Sequence, residues 1–248
     1  MNFQKRKQII LDKLNAEGEV DVKLIAANLD ISEITIRRDL NQLAADGLLY
    51  RTHGGAMKLN PFEIPHDFIN KAAKNVEVKD KICRAAAEQI NHGDIIFMDC
   101  GSTVFRLCQF IKSKKIKVIT NSIPVVFELQ NSMVTLNIIG GEFNAERQAV
   151  HGKIADEHIA RYRASKAFLG VDGISRNGLF ANSELEADIT QAFAANSVKT
   201  YLLCDDSKIG KESYLRFGEL SMINTIITNS RSEELGVFKK NGTEIISV

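Results

Sequence analysis

Ser32 to Leu40 read SEITIRRDL, and the interpretation of the N-terminal part of the chain rests on this stretch. Ser32 is one of the residue types that cap the start of a helix. Ile31 and Ile36 occupy the position before the cap and the first turn, which is the arrangement of a hydrophobic staple. A helix with a fixed start is therefore predicted here, and it carries two adjacent arginines.

The pattern within that helix separates a buried stripe from an outward face. Ile36, Leu40 and Leu43 repeat at i, i+4 and i+7, which predicts a face packed into a core. At about 100° per residue, the other positions divide into an outward face and two flanks. The outward positions are Ile34, Arg38 and Asn41, and the flanking positions are Thr35, Arg37 and Gln42.

Two helices are predicted before this one. Residues 3–16 carry Ile10 and Leu14 at i, i+4 among lysines, and Gly18 ends the run. Asp21 is placed to cap the second helix. The apolar face of the second helix is predicted to consist of Leu24, Ile25, Ala27 and Leu29.

A hairpin is predicted after the arginine-bearing helix, which Gly47 ends. The segment LLYRTHGGAMKL holds two short β-prone runs around His53-Gly54-Gly55. Three compact helices followed by a hairpin are typical of a winged helix-turn-helix. A surface that reads double-stranded DNA is the function predicted for such a unit, and docking onto another protein is the alternative.

Length and composition indicate two domains in a chain without membrane segments. At 248 residues the chain exceeds the roughly 100–200 residues of one domain. We predict a DNA-binding domain over residues 1–58, a connector over 59–75 and an α/β domain over 76–248. The net charge is +1, so an argument for nucleic acid must rest on local charge. No secretory core or bilayer-spanning run is found, and a cytoplasmic protein is expected.

The cysteines and histidines lack the spacing of metal ligands. Cys83, Cys100, Cys108 and Cys204 form no CxxC pair and are interpreted as buried thiols. His151 and His158 lack helical ligand spacing and are interpreted as structural or surface residues. No metal site and no cofactor are predicted.

The sequence after residue 76 alternates between predicted helices and predicted strands. Helices near 78–91, 103–112, 123–130 and 184–195 alternate with short apolar runs such as DIIFMDCGST, IKVITNS, VTLNIIGGE, KAFLGVDGI, KTYLLCDDSK and INTIITN. Short apolar strands between helices predict a mainly parallel sheet covered on both faces. The expected fold is therefore an α/β domain preceded by a small winged helix-turn-helix domain.

Small polar residues follow three of the predicted strands. They are Gly101-Ser102-Thr103, Thr120-Asn121-Ser122 and Gly140-Gly141. In open α/β sheets, ligands bind at the carboxyl ends of the strands. Backbone N–H groups, hydroxyls and glycines there suit an anion, and Lys208 adds a positive charge. A site for a phosphorylated small molecule is predicted, although turns, a helix cap at Asp99 and a surface lysine are the alternative interpretation.

These motifs together resemble a known family. TIRRDLNQLAADGLLYRTHGGA closely resembles the signature of the DeoR-type bacterial transcriptional regulators, and the resemblance continues through DCGST, VITNS, IIGGE, AFLGVDGI and DDSKIG in the same order. It covers nearly the whole chain. The resemblance implies a winged-helix repressor fused to a sensor domain similar to ribose-5-phosphate isomerase, which binds a sugar phosphate or related metabolite.

Two sets of site residues follow from the outward face, the strand ends and the resemblance. The predicted DNA contacts are Ser32, Ile34, Thr35, Arg37, Arg38, Asn41, Arg51, His53 and Gly54. The predicted effector contacts are Asp99, Gly101, Ser102, Thr103, Thr120, Asn121, Ser122, Gly140, Gly141, Asp172, Glu186 and Lys208.

A sugar-phosphate isomerase is the competing function. Isomerisation through an enediol needs a carboxylate base with acid and oxyanion groups around it. The isomerases that this domain resembles carry a DGAD-type aspartate pair, whereas this chain reads DGIS, with Ser175 at the second aspartate. NGLFANSELEAD also departs from their glycine-rich run, although Glu184 and Glu186 keep carboxylates there. We therefore expect binding without catalysis.

The sequence as a whole predicts a transcriptional regulator, most simply a repressor. A single helix-turn-helix makes few base contacts, so a homo-oligomer on a repeated or palindromic operator is expected. The expected partners are double-stranded operator DNA and a phosphorylated sugar or related metabolite.

Overall fold

The computed structural model describes residues 3–45, 48–52, 54–57 and 74–248. Gly47, His53 and most of the predicted connector lie outside these ranges. The chain divides into two compact units, with the boundary between Val76 and Glu77.

The N-terminal unit contains three helices and a small sheet, as the sequence predicts. Its helices are α1 (Phe3–Glu17), α2 (Val22–Leu29) and α3 (Glu33–Ala45). Its strands are β1 (Glu19–Asp21), β2 (Tyr50–Arg51) and β3 (Gly55–Met57). Ile10, Leu14, Ile36, Leu40 and Leu43 lie in one buried cluster, which confirms the predicted stripes of α1 and α3.

The start of α2 is predicted correctly, but its buried face is not. Oδ1 of Asp21 accepts hydrogen bonds from the backbone N–H groups of Lys23 and Leu24, at 2.8 and 3.1 Å. Leu24 is 62% exposed and Ala27 is also exposed, so neither belongs to the core. The residues that face the core are Val22, Ile25, Ala26 and Leu29. These four residues follow the i, i+3, i+4, i+7 spacing of one helix face, and Leu24 and Ala27 lie off that face.

The predicted hairpin is confirmed, and it gains a third strand. Tyr50 pairs with Met57 and Arg51 with Ala56 in the antiparallel β2–β3 ladder. Strand β1 pairs with the other edge of β3 and gives the order β1-β3-β2. The sequence does not predict β1, because its three residues follow Gly18, end on the helix cap Asp21 and carry no local strand pattern.

The C-terminal unit is built on a seven-stranded sheet in which all neighbouring strands are parallel. In sheet order the strands are β15 (Glu244–Ser247), β14 (Thr225–Thr228), β12 (Ser197–Leu203), β9 (Ala164–Leu169), β4 (Ile95–Met98), β5 (Lys117–Thr120) and β6 (Thr135–Ile138). This confirms the predicted parallel α/β domain. The two smaller sheets comprise β7 (Glu142–Asn144) with β8 (Ala149–His151), and β10 (Gly173–Ser175) with β11 (Gly178–Ala181) and β13 (Leu215–Gly218).

The helices of this unit agree with the predicted alternation, with one correction. They are α4 (Val76–Glu88), α5 (Ser102–Arg106), α6 (Cys108–Ile111), α7 (Ile123–Leu129), α8 (Lys153–Ile159), α9 (Glu184–Ala195) and α10 (Glu234–Lys240). The single helix predicted near 103–112 is instead two short helices that meet at Leu107. Phe97 of β4 and Phe193 of α9 stack with ring centroids 4.6 Å apart in the main core. Among the described residues, no helix is long and apolar enough to cross a membrane.

Candidate DNA-reading surface and effector site

The outward face of α3 presents the predicted residues to solvent. Ile34 is 79% exposed, and Arg38 is exposed as well. Arg37 is half-buried, and its guanidinium lies 3.3 Å from a carboxylate oxygen of Glu33, one turn earlier. Arg38 therefore extends from the helix, while Arg37 is held against its own helix surface.

The start of α3 is closed by Ser32 and Thr35. The backbone N–H of Thr35 donates to Oγ of Ser32 at 3.4 Å, and the two hydroxyls lie 2.9 Å apart. Ile31 and Ile36 both belong to the helical core, as the staple requires. The cap fixes where the outward face begins.

Arg51 and Asn41 have a role that differs from the predicted DNA contact. Arg51 is only 5% exposed. Its Nε donates to Oδ1 of Asn41 at 2.9 Å, and its Nη1 donates to the carbonyl oxygen of Gly55. A guanidinium used in this way joins α3 to the hairpin, so Arg51 positions the wing instead of extending from it. His53 lies outside the described residues, and the adjacent Gly54 is exposed.

A buried ion pair joins α1 to α3. Arg6 and Asp39 are 8% and 3% exposed. Two nitrogens of Arg6 donate to the two carboxylate oxygens of Asp39, at 2.5 and 3.0 Å. The pair is not among the predicted features, although the sequence contains a signal for it: Asp39 lies three residues after Ile36 and next to Leu40, inside the buried stripe.

The predicted effector residues occupy the carboxyl edge of the parallel sheet. Strands β12, β9, β4, β5 and β6 are consecutive in the sheet, so the loops that follow them lie along one edge. The glycines after β4 and β9 approach each other: a Cβ on Gly101 would lie 3.4 Å from Cα of Gly170. Ser102, Asp172 and Lys208 therefore follow three adjacent strands, β4, β9 and β12, at the same edge of the sheet.

Asp99 is buried at this edge and joins neighbouring segments by hydrogen bonds. It is 5% exposed, and its oxygens accept from the N–H groups of Cys100 and Gly170, at 2.7 and 3.1 Å, and from Oγ1 of Thr190, at 3.3 Å. Burial raises the pKa of the Asp99 carboxyl, while the N–H groups of Gly170 and Cys100 act in the opposite direction. Asp99 is occupied by protein groups and differs in this from the predicted effector contact.

Thr120 and Ser122 are fully buried and serve the local structure. Oγ1 of Thr120 donates to the carbonyl oxygen of Met98 at 2.7 Å and accepts from the N–H of Ser122 at 3.1 Å. Asn121 between them donates through Nδ2 to the carbonyl oxygen of Val150 at 3.0 Å. Within the described residues, Oδ1 of Asn121 is buried and has no hydrogen-bond partner.

The Gly140-Gly141 turn lies beside α8. The N–H of Gly140 donates to Nδ1 of His158 at 3.0 Å, and Nε2 of His158 lies 3.1 Å from the hydroxyl of Tyr162. Gly141 has φ +147°, and a Cβ there would lie 2.7 Å from the carbonyl oxygen of His151. Close packing is sufficient to explain glycine at this turn, and both ring nitrogens of His158 lie within hydrogen-bond distance of protein groups.

A cluster of charged side chains lies near Ser102 and Lys208. Nζ of Lys208 is 4.0 Å from Oδ1 of Asp172, whose other oxygen accepts from the N–H of Asn182 at 2.9 Å. Nζ of Lys79, on α4, donates to Oγ of Ser102 at 3.3 Å. Burial lowers the pKa of Lys79 to about 8, with Asp205 acting in the opposite direction.

Lys79 and Asp205 are missing from the predicted site. Lys79 is 5% exposed and Asp205 4% exposed. The signal for Lys79 is its position three and four residues before the buried Ile82 and Cys83 of α4, where a lysine points inward. Of the remaining predicted residues, Gly101 and Thr103 are half-buried beside Ser102, and Glu186 is half-buried on α9.

Two family models match the chain. A DeoR-like helix-turn-helix domain matches residues 6–61, and a DeoR C terminal sensor domain matches residues 74–230. The lactose phosphotransferase system repressor of Lactococcus lactis subsp. lactis is 37% identical, over 93% of this chain and 92% of its own. The repressor of the same name from Streptococcus mutans is 32% identical over the whole of both chains.

The likeness to solved structures is limited to part of the fold. Ribose 5-phosphate isomerase A from Methanocaldococcus jannaschii is 18% identical, with a TM-score of 0.40 over 55% of each chain. eIF2B beta from Chaetomium thermophilum is 18% identical, with a TM-score of 0.46 over 71% of this chain and 57% of that one. The two family models cover most of the sequence and agree with its winged helix-turn-helix and its parallel α/β unit. The chain therefore belongs to the DeoR family of DNA-binding transcriptional regulators.

Proposed function

We propose that this regulator represses genes of sugar uptake or use, and that a phosphorylated sugar binds its α/β unit and changes its affinity for DNA. The observation that supports an effector site is that Ser102, Asp172 and Lys208 follow three adjacent parallel strands at one edge of the sheet, with Nζ of Lys208 4.0 Å from Asp172. The relatives' names, which specify repression of a lactose phosphotransferase system, support a sugar as the signal.

On the DNA side, Arg38 and Ile34 are the residues proposed to enter the major groove. Both are exposed on the outward face of α3. An arginine there suits guanine, and an isoleucine suits the thymine methyl group, which is the apolar group that a base pair presents in the major groove. Arg37, Ser32 and Thr35 lie at the flank and the helix start, where phosphate contacts are made.

The effector is proposed to bind with its phosphoryl group near Lys208 and its hydroxyls near carboxylate and amide oxygens. A phosphate accepts hydrogen bonds from the ammonium of Lys208 and from the hydroxyls of Ser102 and Thr103. Sugar hydroxyls are donors, and Asp172 offers a carboxylate to them. The buried Oδ1 of Asn121 is also an acceptor, and a hydroxyl that reached it would remove the cost of an unsatisfied group.

We place the protein with regulators and not with isomerases. Ser175, at the position where the isomerases carry an aspartate, is 3% exposed and donates through Oγ to Glu212 at 2.7 Å. A hydroxyl committed in this way is a poor substitute for a carboxylate base. The chain is further proposed to act in the cytoplasm as a homo-oligomer, because paired half-sites multiply the discrimination of one recognition helix.

Calorimetry with matched ligands tests the effector site. A panel of hexose and pentose phosphates, each with its parent sugar, is titrated into the wild type, Lys208→Ala and Lys211→Ala. Charge-assisted hydrogen bonds contribute about 1.5–3 kcal/mol each, so the parent sugar should bind at least about tenfold more weakly than its phosphate. Lys208→Ala should remove that difference, whereas Lys211→Ala, which alters an exposed lysine three residues away, should keep it.

Two results would reject this proposal. One is equal binding of a sugar and its phosphate, with no effect of Lys208→Ala on either. The other is turnover of a pentose phosphate to its isomer by the purified wild type, which would favour the enzyme.

A further inference from the structure

The side chain of Lys79 enters the effector edge from outside the strand-end loops. Lys79 belongs to α4, a helix that precedes the sheet, yet it is 5% exposed and its Nζ donates to Oγ of Ser102 at 3.3 Å. Lys81, two residues later on the same helix, is exposed. The helix therefore directs one particular ammonium group to the loop where the effector phosphate is proposed to bind.

Lys79 lies among both like and opposite charges. Lys208 and Arg106 both act on Lys79 as like charges, and Asp205 is the opposing carboxylate. Arg106 is committed to Asp80, with which its guanidinium makes two hydrogen bonds, at 2.5 and 2.8 Å. Lys79 and Lys208 are thus two cations whose nearby carboxylates are Asp205 and, 4.0 Å from Lys208, Asp172.

An ammonium buried beside a second ammonium is costly, because burial removes water and like charges repel. The lowered pKa of Lys79, about 8, reflects this cost: burial is its main cause, and Lys208, Arg106, Asp205 and the neighbouring Cys83 are the charged or titratable groups that act on it. A doubly charged anion placed between the two lysines would offset both effects.

We propose that Lys79 is a second effector-binding residue, which acts with Lys208 to select a doubly charged phosphoryl group over singly charged anions. This inference rests on the proposed function, since it places the phosphate at Ser102. It adds a residue from a different element and a charge requirement. Lys208 alone would favour any anion, whereas a pair of ammonium groups favours two charges on one small group.

Binding of such an anion must be linked to proton uptake. A bound dianion raises the pKa of Lys79, so the complex holds more protons than the free protein above about pH 8. Affinity should therefore be level below about pH 7, where Lys79 is already charged, and should fall as the pH rises through 8 and 9. At pH 8 about half a proton should be taken up per site.

Sulfate and methanesulfonate are the probes, since they are tetrahedral anions with two charges and one charge, and neither titrates between pH 6 and about 9.5. Calorimetry is run on the full chain for the wild type, Lys79→Met, Lys79→Arg and the exposed control Lys81→Met, in two buffers of different ionisation enthalpy. The wild type and Lys81→Met should prefer sulfate by at least about tenfold and take up protons at pH 8.

Lys79→Met should lose the preference and the proton uptake. Lys79→Arg should keep the preference and bind equally well from pH 7 to 9, because an arginine stays charged. Thermal unfolding verifies that each variant is folded. If Lys79→Met is not folded, the pH dependence of Lys79→Arg provides the test.

The outcomes distinguish this inference from the proposed function. If sugar phosphates bind in a manner that depends on Lys208, while Lys79→Met keeps the sulfate preference and the proton uptake, the role of Lys79 is wrong and the effector site stands. If the wild type binds neither sulfate nor any sugar phosphate, both are wrong.

Discussion

Three consecutive residues of α3 have three different environments. Arg37 is half-buried beside Glu33, Arg38 is exposed, and Asp39 is buried against Arg6. Each step of about 100° around the helix moves a side chain from flank to solvent to core. Adjacent charged residues can therefore serve DNA binding and stability at the same time.

Arg37 and Arg38 should differ in their effect on DNA binding. Arg38→Ala should weaken binding and relax the sequence preference, because we propose that its exposed guanidinium contacts base edges. Arg37→Ala should weaken all sequences alike and reduce the salt slope by about one. Fluorescence anisotropy with operator and random duplexes at several salt concentrations measures both effects. Equal losses of specificity in the two variants would contradict this division.

Asp39 should matter for stability. Asp39→Asn removes the charge that Arg6 contacts and should lower the free energy of unfolding of the N-terminal unit by about 3 kcal/mol. Urea unfolding measures it, and Asp12→Asn, on the exposed side of α1, is the control and should change it by less than about 0.5 kcal/mol. Replacing Arg6 by Met and Asp39 by Leu together should recover most of the loss. A single variant as stable as the wild type would show that the pair contributes little.

At the scale of elements, the wing is the β2–β3 hairpin, and it contacts both β1 and α3. Strand β1 pairs with β3, β3 pairs with β2, and Arg51 of β2 reaches Asn41 of α3. Gly55 is where this assembly is tightest, because a Cβ there would lie 1.8 Å from the carbonyl oxygen of Val20. The wing is therefore joined to β1 by backbone pairing and to α3 by the side chains of Arg51 and Asn41.

Gly55→Ala should separate β1 from β3. A Cβ cannot be placed without moving the backbone, so we expect a loss of about 2 kcal/mol or more in stability and weaker operator binding. Gly54→Ala is the matched control for stability alone, because Gly54 is itself a predicted DNA contact; its Cβ would meet Oδ2 of Asp21 at an ordinary 3.5 Å. Thermal unfolding and anisotropy measure the two effects. Similar thermal stabilities for the two variants would mean that the β1–β3 pairing is not essential for the stability of the N-terminal unit.

At the scale of the whole molecule, the proposed effect of the effector on DNA binding has a reciprocal that can be measured. If the effector lowers operator affinity by some factor, the operator must lower effector affinity by the same factor. Calorimetry of the effector, with and without saturating operator, gives one factor, and anisotropy of the operator, with and without effector, gives the other. Lys208→Ala should abolish both together. Unequal factors in the wild type would mean that the two measurements report different oligomeric states.

Much of the architecture could be predicted because its signals are local. The cap at Asp21, the stripe of α3 and the bounds of α9 at 184–195 all follow from residues within one or two helical turns. The parallel sheet follows from short apolar runs between helices. There are two exceptions: β1 forms only because β3 provides a partner, and α2 buries the face that contains Val22, Ile25 and Ala26 instead of the one that contains Leu24.

The sequence by itself determined the family, the two-part organisation and the strand ends at which a ligand is expected, because periodicity, caps and motifs are properties of neighbouring residues. Only the tertiary structure decided what the polar residues at those places contact. Asp39 bonds Arg6 across 33 positions, Lys79 bonds Ser102 across 23, and Asp99 bonds Gly170 across 71. A buried polar group must find a partner, but packing between distant elements selects that partner. For this reason Asp99 and Arg51 bond protein groups in other parts of the chain, and Lys79 of α4 bonds Ser102.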